Sequence, residues 1–226
     1  MKKIILALPS KGRLKEQCEE WLKKRNLVLK QSNDRNYSAY IDGKDDIEIR
    51  LLSSSEIAKG LLSGEIHAGI TGEDLVREQS SNSYELVDLV AGLGFGRADV
   101  VIGVPDGWID VENMADLNEV AQEMRKFSGR RLKIATKYTR LTASYFEKHN
   151  IRDYRIIYSG GATEGAPSNG IADAIVDITS TGSTLIANNL KMLDDGLILQ
   201  SQACLFVSKV IKFDAKRKKL LQEIIG

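Results

Sequence analysis

The tightest constraint on this chain is its hydrophobic rhythm: apolar runs too short for helices alternate along its whole length with segments of helical period. Residues 4–8, 47–52, 66–70, 100–104, 132–135, 156–158, 174–178 and 203–207 read as strands. Between them, Leu14, Cys18, Trp21, Leu22 and Arg25 form one apolar-edged stripe at i, i+4, i+7 and i+8, and residues 115–127 and 141–149 repeat the spacing. Asn150 is suited to the left-handed stop of the last of these helices. Strand alternating with helix specifies an α/β protein with largely parallel sheets.

A chain of 226 residues fills one large domain or two small ones at roughly 100–200 residues each. Residues 92–108, GLGFGRADVVIGVPDGW, concentrate five glycines and a proline around one strand and mark a domain crossing. A second crossing is expected near residues 191–196, KMLDDG. Together they predict a discontinuous lobe of residues 1–97 plus 195–226, a second lobe of residues 98–194, and a central cleft. The alternative is one continuous sheet with a surface loop at 92–108.

Charge excludes several classes of function. Lys and Arg number 32 against 31 Asp and Glu, so nothing draws the whole molecule to nucleic acid or an anionic membrane, and any anion site must be local. The N-terminal MKKIILALPSKGRLK has an apolar run shorter than the roughly 7–15 residues of a signal peptide, with Lys11 and Arg13 where a cleavage site would stand. Cys18 and Cys204 are far apart and lack a CxxC partner, which fits a reducing, cytoplasmic setting without a structural metal. The tail DAKRKKLLQEIIG reads as a short basic helix with a solvated face.

The stretch ADAIVDITSTGSTLIANNL carries the clearest chemistry. An apolar strand delivers Asp177 to its carboxyl end, and Thr179, Ser180, Thr181, Gly182, Ser183 and Thr184 then turn into a helix near Leu185. Amides at a helix start lack partners within the helix and lie at the positive end of its dipole, so the loop suits a phosphate. Hydroxyls add donors, and Gly182 allows close backbone approach. A carboxylate beside bare phosphate would repel it; Asp177 instead suits ribose hydroxyls that intervene, giving a ribose 5-phosphate layout. The loop lacks the Walker lysine and the GxGxxG spacing. An ordinary helix cap would need only one of these side chains.

Glu164, in the glycine-rich YSGGATEGAP, follows another strand end and becomes a second candidate for ribose hydroxyls or Mg²⁺. Lys11 and Arg13 stand at the start of the first helix, where cations oppose the dipole unless an anion such as a polyphosphate neutralises them. In GITGEDLV, Glu73 and Asp74 read as helix-start acids.

In this order, ALPSKGRL, GITGEDL, GLGFGRADVVIGVP, GGATEGAP, ADAIVDITSTGSTLIANNL and ILQSQACL resemble ATP phosphoribosyltransferase, the first enzyme of histidine biosynthesis. The resemblance covers nearly the whole chain and is closest to the short form of the family, which lacks a C-terminal regulatory domain. It implies a two-lobed fold of the periplasmic-binding-protein type II kind, with ATP and 5-phosphoribosyl 1-pyrophosphate as substrates and Mg²⁺ carried by them rather than by protein ligands. It also implies a regulatory subunit resembling histidyl-tRNA synthetase and a homodimer within a hetero-oligomer. Residue by residue it implies that Asp177, Ile178, Thr179, Ser180, Thr181, Gly182, Ser183, Thr184 and Leu185 hold the phosphoribosyl group. Asp177 and Glu164 become the catalytic acids, and Lys11, Arg13, Asp74, Arg97 and Arg35 contact ATP or pyrophosphate. One departure stands out: where many relatives carry an arginine, LLSSSEI has Ser53, so a cation near the leaving group is missing. Arg50, three residues earlier, could take its place only if the register or strand face allows it, since an odd offset on a strand points the opposite way. A non-catalytic solute-binding module and a nucleotide-sensing domain are the alternatives.

Overall fold

The computed structural model describes residues 3–31 and 38–225. Two compact units emerge, the first made of Met1–Gly96 with Gln202–Gly226 and the second of Arg97–Ser201. Each is built on its own sheet, so the single continuous sheet is not what forms.

In the first unit the strands β1 (Ile4–Pro9), β2 (Leu29–Gln31), β3 (Ser38–Ile41), β4 (Ile47–Leu52), β5 (Ala68–Gly72), β6 (Val87–Gly92) and β12 (Ala203–Ser208) lie in the order β2-β3-β4-β1-β5-β12-β6. β1 pairs in parallel with β4 and β5, and every other neighbouring pair in the sheet is antiparallel, so the sheet is mixed rather than largely parallel. β4 shows the expected half-buried alternation, with Ile47, Ile49 and Leu51 inward, whereas every residue of β12 is buried. On one face of the sheet, Ile4, Leu6, Leu8 and Leu205 pack with Cys18, Trp21 and Leu22 of helix α1 (Gly12–Lys23). On the other, Ala7 and Phe206 meet Ile57, Ala58 and Leu61 of α2 (Ser54–Ser63). The short helices α3 (Glu73–Gln79) and α4 (Ser83–Leu86) follow β5.

The second unit holds β7 (Asp99–Pro105), β8 (Leu132–Thr136), β9 (Tyr154–Tyr158), β10 (Ala174–Thr179) and β11 (Leu190–Leu199), ordered β11-β7-β10-β8-β9. β10, β8 and β9 are parallel, and β7 and β11 are antiparallel to their neighbours. Its helices are α5 (Met114–Ser128), α6 (Thr139–Lys148) and α7 (Ser183–Ala187). Asn113 and Asp116 make a reciprocal capping box at the start of α5, and Gly129 ends it at φ 66°. Asn150 takes φ 58° after α6, the left-handed stop its sequence predicts.

The run at residues 191–196 is not a crossing: it lies within β11, whose register against β7 shifts between Met192 and Leu197. Asp195 Oδ1 there accepts the Met114 amide at 2.8 Å, and Tyr145 Oη donates to the Asp195 carbonyl at 2.5 Å. Asp195 thus serves a strand bulge that ties down α5 and α6. The final helix α8 (Ala215–Ile225) is likewise more than a solvated face. Ile224 is fully buried in the first unit's core, Leu220 and Leu221 pack against it, and Lys216 and Glu223 pair with Asp46 and Lys44. Among the described residues no helix is long and apolar enough to cross a membrane.

Candidate active site

The carboxyl ends of β8, β9 and β10 lie side by side because these strands are parallel and in register: Thr136 is level with Val176 on one side and with Tyr158 on the other. The residues that follow, Lys137, Ser159 and Asp177, therefore emerge along one edge of the second sheet. Asp177 is half-buried and level with Val101 of β7. Its Oδ1 accepts the Ile178 amide at 2.8 Å. Burial pushes its carboxyl above the ordinary carboxylate range; the Ile178 amide, the Lys137 ammonium and the Thr163 hydroxyl pull it back down, while Glu164 adds to the push.

Glu164 lies in the single 3₁₀ turn Thr163–Gly165, half-buried. Ala162, just before it, has φ 50°, a left-handed conformation that an alanine adopts only at some cost in strain. That turn brings Thr163, 2% exposed, to within 3.0 Å of Ser159 Oγ and into hydrogen-bonding relation with Asp177. Asp177 and Glu164 are thus brought to the same sheet edge, as their sequence positions suggest.

The hydroxyl loop is partly self-organised. Thr179 Oγ1 accepts the Gly182 amide at 2.8 Å, and Thr181 and Ser183 share a hydroxyl bond at 2.8 Å. Gly182 has φ 76°, and a Cβ there would meet nothing within 4 Å, so glycine is required by backbone conformation and not by crowding. α7 begins at Ser183, two residues before the expected Leu185, and is five residues long. Ser180, Thr181, Ser183 and Thr184 are exposed, Ile178 is 39% exposed, and Leu185 is buried in the second unit's core with Val101, Ala135 and Ile175. Leu185 thus anchors the loop from beneath, while the exposed hydroxyls and the turn at Gly182 form its open face.

The remaining candidates are in the first unit, apart from Arg97, which is exposed at the start of the second. Lys11 is the N-cap of α1 and Gly12 takes φ 72°; both Lys11 and Arg13 are exposed, with no acid in the helix's first turn. The unfavourable placement of these cations is therefore real and is not compensated by a neighbouring acid in that turn. Asp74 is 3% exposed and its carboxylate packs against Gly72, where a Cβ would come within 2.2 Å of Oδ1. Glu73 pairs with Arg77 Nη2 at 2.6 Å and accepts from Tyr84 Oη at 2.6 Å, a local use in the helix start. Arg35 lies outside the described residues.

Ser53 has a structural explanation. Its hydroxyl accepts the Glu56 amide at 3.3 Å while the Glu56 carboxylate accepts the Ser53 amide at 2.9 Å, a capping box that starts α2. Arg50 bonds Glu48 at 2.7 Å on β4. Lys137 and Thr163 are the residues at the site that sequence patterns did not single out; the parallel register that places them beside Asp177 is a property of the sheet. Among the described residues no group of three or more His, Cys, Asp or Glu is arranged to hold a metal ion. The donor set therefore does not fit a metal held by the protein alone.

A family model described as ATP phosphoribosyltransferase matches residues 53–226. ATP phosphoribosyltransferases from Mesorhizobium japonicum and Brucella suis are 56% and 58% identical over 208 and 204 residues. Those matches cover 91% and 89% of this chain and 90% and 88% of theirs. Among solved structures, the ATP phosphoribosyl transferase (HisG:HisZ) complex from Thermotoga maritima superposes with a TM-score of 0.73 at 27% identity, covering 98% of both chains. The periplasmic aliphatic sulphonate binding protein of Escherichia coli, 16% identical with a TM-score of 0.57, covers 99% of this chain and 70% of its own, and shares the fold alone.

Proposed function

The chain belongs to the ATP phosphoribosyltransferase family, the enzymes of histidine biosynthesis, and from that premise we propose how its residues carry the reaction. Adenine N1 of ATP attacks C1 of 5-phosphoribosyl 1-pyrophosphate; the C1–N1 bond forms, the bond from C1 to the pyrophosphate oxygen breaks, and the anomeric centre inverts. N1 carries no proton, so bond formation needs no general base. The protein must align two highly charged substrates and accommodate charge in the transition state.

The loop from Asp177 to Leu185 holds the phosphoribosyl group, its backbone and hydroxyls at residues 179–184 taking the 5-phosphate. Asp177 accepts from ribose hydroxyls, and with Glu164 it favours the positive charge that develops on the ribose as pyrophosphate departs. Lys11, Arg13, Asp74, Arg97 and Arg35 contact ATP or pyrophosphate. The family generally uses a divalent metal, and Mg²⁺ would arrive on the polyphosphate as part of the substrate. A regulatory subunit completes the assembly, by similarity to the Thermotoga maritima complex. The setting is cytoplasmic.

The observation that carries the site assignment is the half-buried Asp177 within β10, which runs two residues further to Thr179 than the sequence suggests and then enters a glycine-turned hydroxyl loop. With ATP, phosphoribosyl pyrophosphate, Mg²⁺, pyrophosphatase and the partner subunit, the absorbance change of N1-substituted adenine reports turnover. Asp177→Asn is expected to lose roughly a hundredfold in kcat, on the scale of one lost transition-state interaction, with little change in melting temperature. Unchanged turnover would remove Asp177 from the site.

A further inference from the structure

We propose that Lys137 is a positioning residue for this transfer: from the end of the neighbouring strand its ammonium faces Asp177 and holds that carboxylate charged and oriented toward the ribose. The inference rests on the assignment of Asp177 to the ribose given above.

The placement follows from the sheet. β8 and β10 are parallel neighbours with Thr136 level with Val176; Lys137 leaves the end of β8 directly after this pair, and Asp177 is the next residue of β10. Thr136 and Val176 are fully buried, whereas the residues that follow them, Lys137 and Asp177, are both half-buried. The backbone carrying Lys137 is fixed from several directions. Thr136 Oγ1 accepts the Tyr138 amide at 2.8 Å, the Thr136 carbonyl accepts the Ser159 amide at 3.0 Å, and Thr142 Oγ1 donates to the Tyr138 carbonyl at 2.6 Å. Tyr138 is fully buried, and the Lys137 ammonium stands 4.9 Å from the centre of its ring. The lysine is thus half-buried on an anchored stem and not a free surface chain.

The charged groups acting on Asp177 come from two elements. Lys137 approaches from the β8–α6 connection and Glu164 from the 3₁₀ turn after β9. Across the sheet β7 places an apolar residue, Val101, level with Asp177. The other donors, the Ile178 amide and the Thr163 hydroxyl, are neutral. Burial and Glu164 both disfavour the carboxylate, and Lys137 is the cation that opposes them. Without it, Asp177 would take up a proton at a higher pH. It would then offer fewer acceptor lone pairs to the ribose hydroxyls and no negative charge to the carbon losing pyrophosphate.

The test is the pH dependence of kcat/KM for phosphoribosyl pyrophosphate, measured on the full chain with its partner subunit at saturating ATP and Mg²⁺. Wild type, Lys137→Met, Lys137→Arg and Asp177→Asn are compared. Dividing each variant by the wild type removes the titration of the substrates. The ratio of Lys137→Met to wild type is expected to fall steadily as pH is lowered from 8.5 to 6 and to stay within about threefold of one near pH 8.5, as a displaced carboxyl titration requires. Lys137→Arg, which keeps the charge, should follow the wild-type profile. A loss by Lys137→Met of the same factor at every pH would assign the lysine to direct phosphate contact and overturn the proposal; no loss at any pH would overturn it as well. If Asp177→Asn keeps wild-type kcat/KM, the assignment of Asp177 itself fails. If that variant collapses while the Lys137→Met ratio is flat, only the role of Lys137 fails.

Discussion

Replacing Gly182 with alanine separates what the loop costs to fold from what it does. Gly182 takes φ 76° and ψ −10°, and an added Cβ would find open space, so no steric clash contributes. The cost is that of forcing a residue with a Cβ into the left-handed region, about 1–2 kcal/mol. For a chain of this length that corresponds to a melting temperature lowered by roughly 2–8 °C. The Gly182 amide bonds Thr179 Oγ1 and its carbonyl accepts the Ile186 amide, so the variant either keeps this turn at that cost or loses the loop's shape. If the open face of the loop holds the 5-phosphate by its backbone, a methyl group in that space blocks the approach. KM for phosphoribosyl pyrophosphate should then rise about tenfold or more, more than the small loss of stability explains. Gly182→Asn, which tolerates the left-handed region better, should recover part of the melting temperature while leaving KM high. Melting curves and initial rates over a range of phosphoribosyl pyrophosphate decide the matter. An alanine variant with wild-type KM, or one at least as stable as wild type, would refute this account of the loop.

Other consequences follow from the same structure. Ser53→Ala removes one side of an exposed capping box whose hydroxyl bond is long, so urea unfolding should show a loss of about 0.5–1 kcal/mol, and a gain would contradict the cap. His67 Nδ1 accepts the Ile5 amide at 3.2 Å, and burial together with Arg217 and Arg50 depresses the imidazole's pKa. The unfolded chain therefore binds this proton first. Stability should be flat above the ordinary histidine value of about 6.5 and decline as pH falls from there through the folded value, and His67→Gln should weaken that decline in denaturant titrations. Cys18 and Cys204 are buried, with thiols pushed by burial up to about 12 and about 11. A thiol reagent near pH 8 should label neither in the native protein and both after unfolding; rapid native labelling of Cys18 would contradict its place in the core.

What could be read from the sequence, and what could not, follows the range of the interactions involved. The strands at 47–52 and 174–178 and the Asn150 stop were legible because short apolar runs and left-handed preference are local properties. Val87–Gly92 is an edge strand whose apolar residues are interrupted by Asp88 and which runs into the glycine-rich segment, so its pattern is masked in the sequence. KMLDDG resembled a linker because two acids and a glycine usually mark one. Here Asp195 caps a helix 81 positions away, and Gly196 sits where a Cβ would press on the Leu193 carbonyl at 3.0 Å. At the site, Asp177 and its loop stood out as a contiguous motif. Lys137 and Thr163 did not, since a lysine after a strand and a threonine in a turn acquire meaning only from the parallel register of β8, β9 and β10. Ser53 showed in sequence as a missing cation; in the structure it is a helix start.

The most direct test of the central claim is a crystal structure of the protein with phosphoribosyl pyrophosphate and Mg²⁺ bound. The account predicts the 5-phosphate on the amides and hydroxyls of residues 179–184, with ribose hydroxyls within hydrogen-bond distance of Asp177. A sugar phosphate bound away from that loop, with Asp177 facing only solvent or protein, would contradict it.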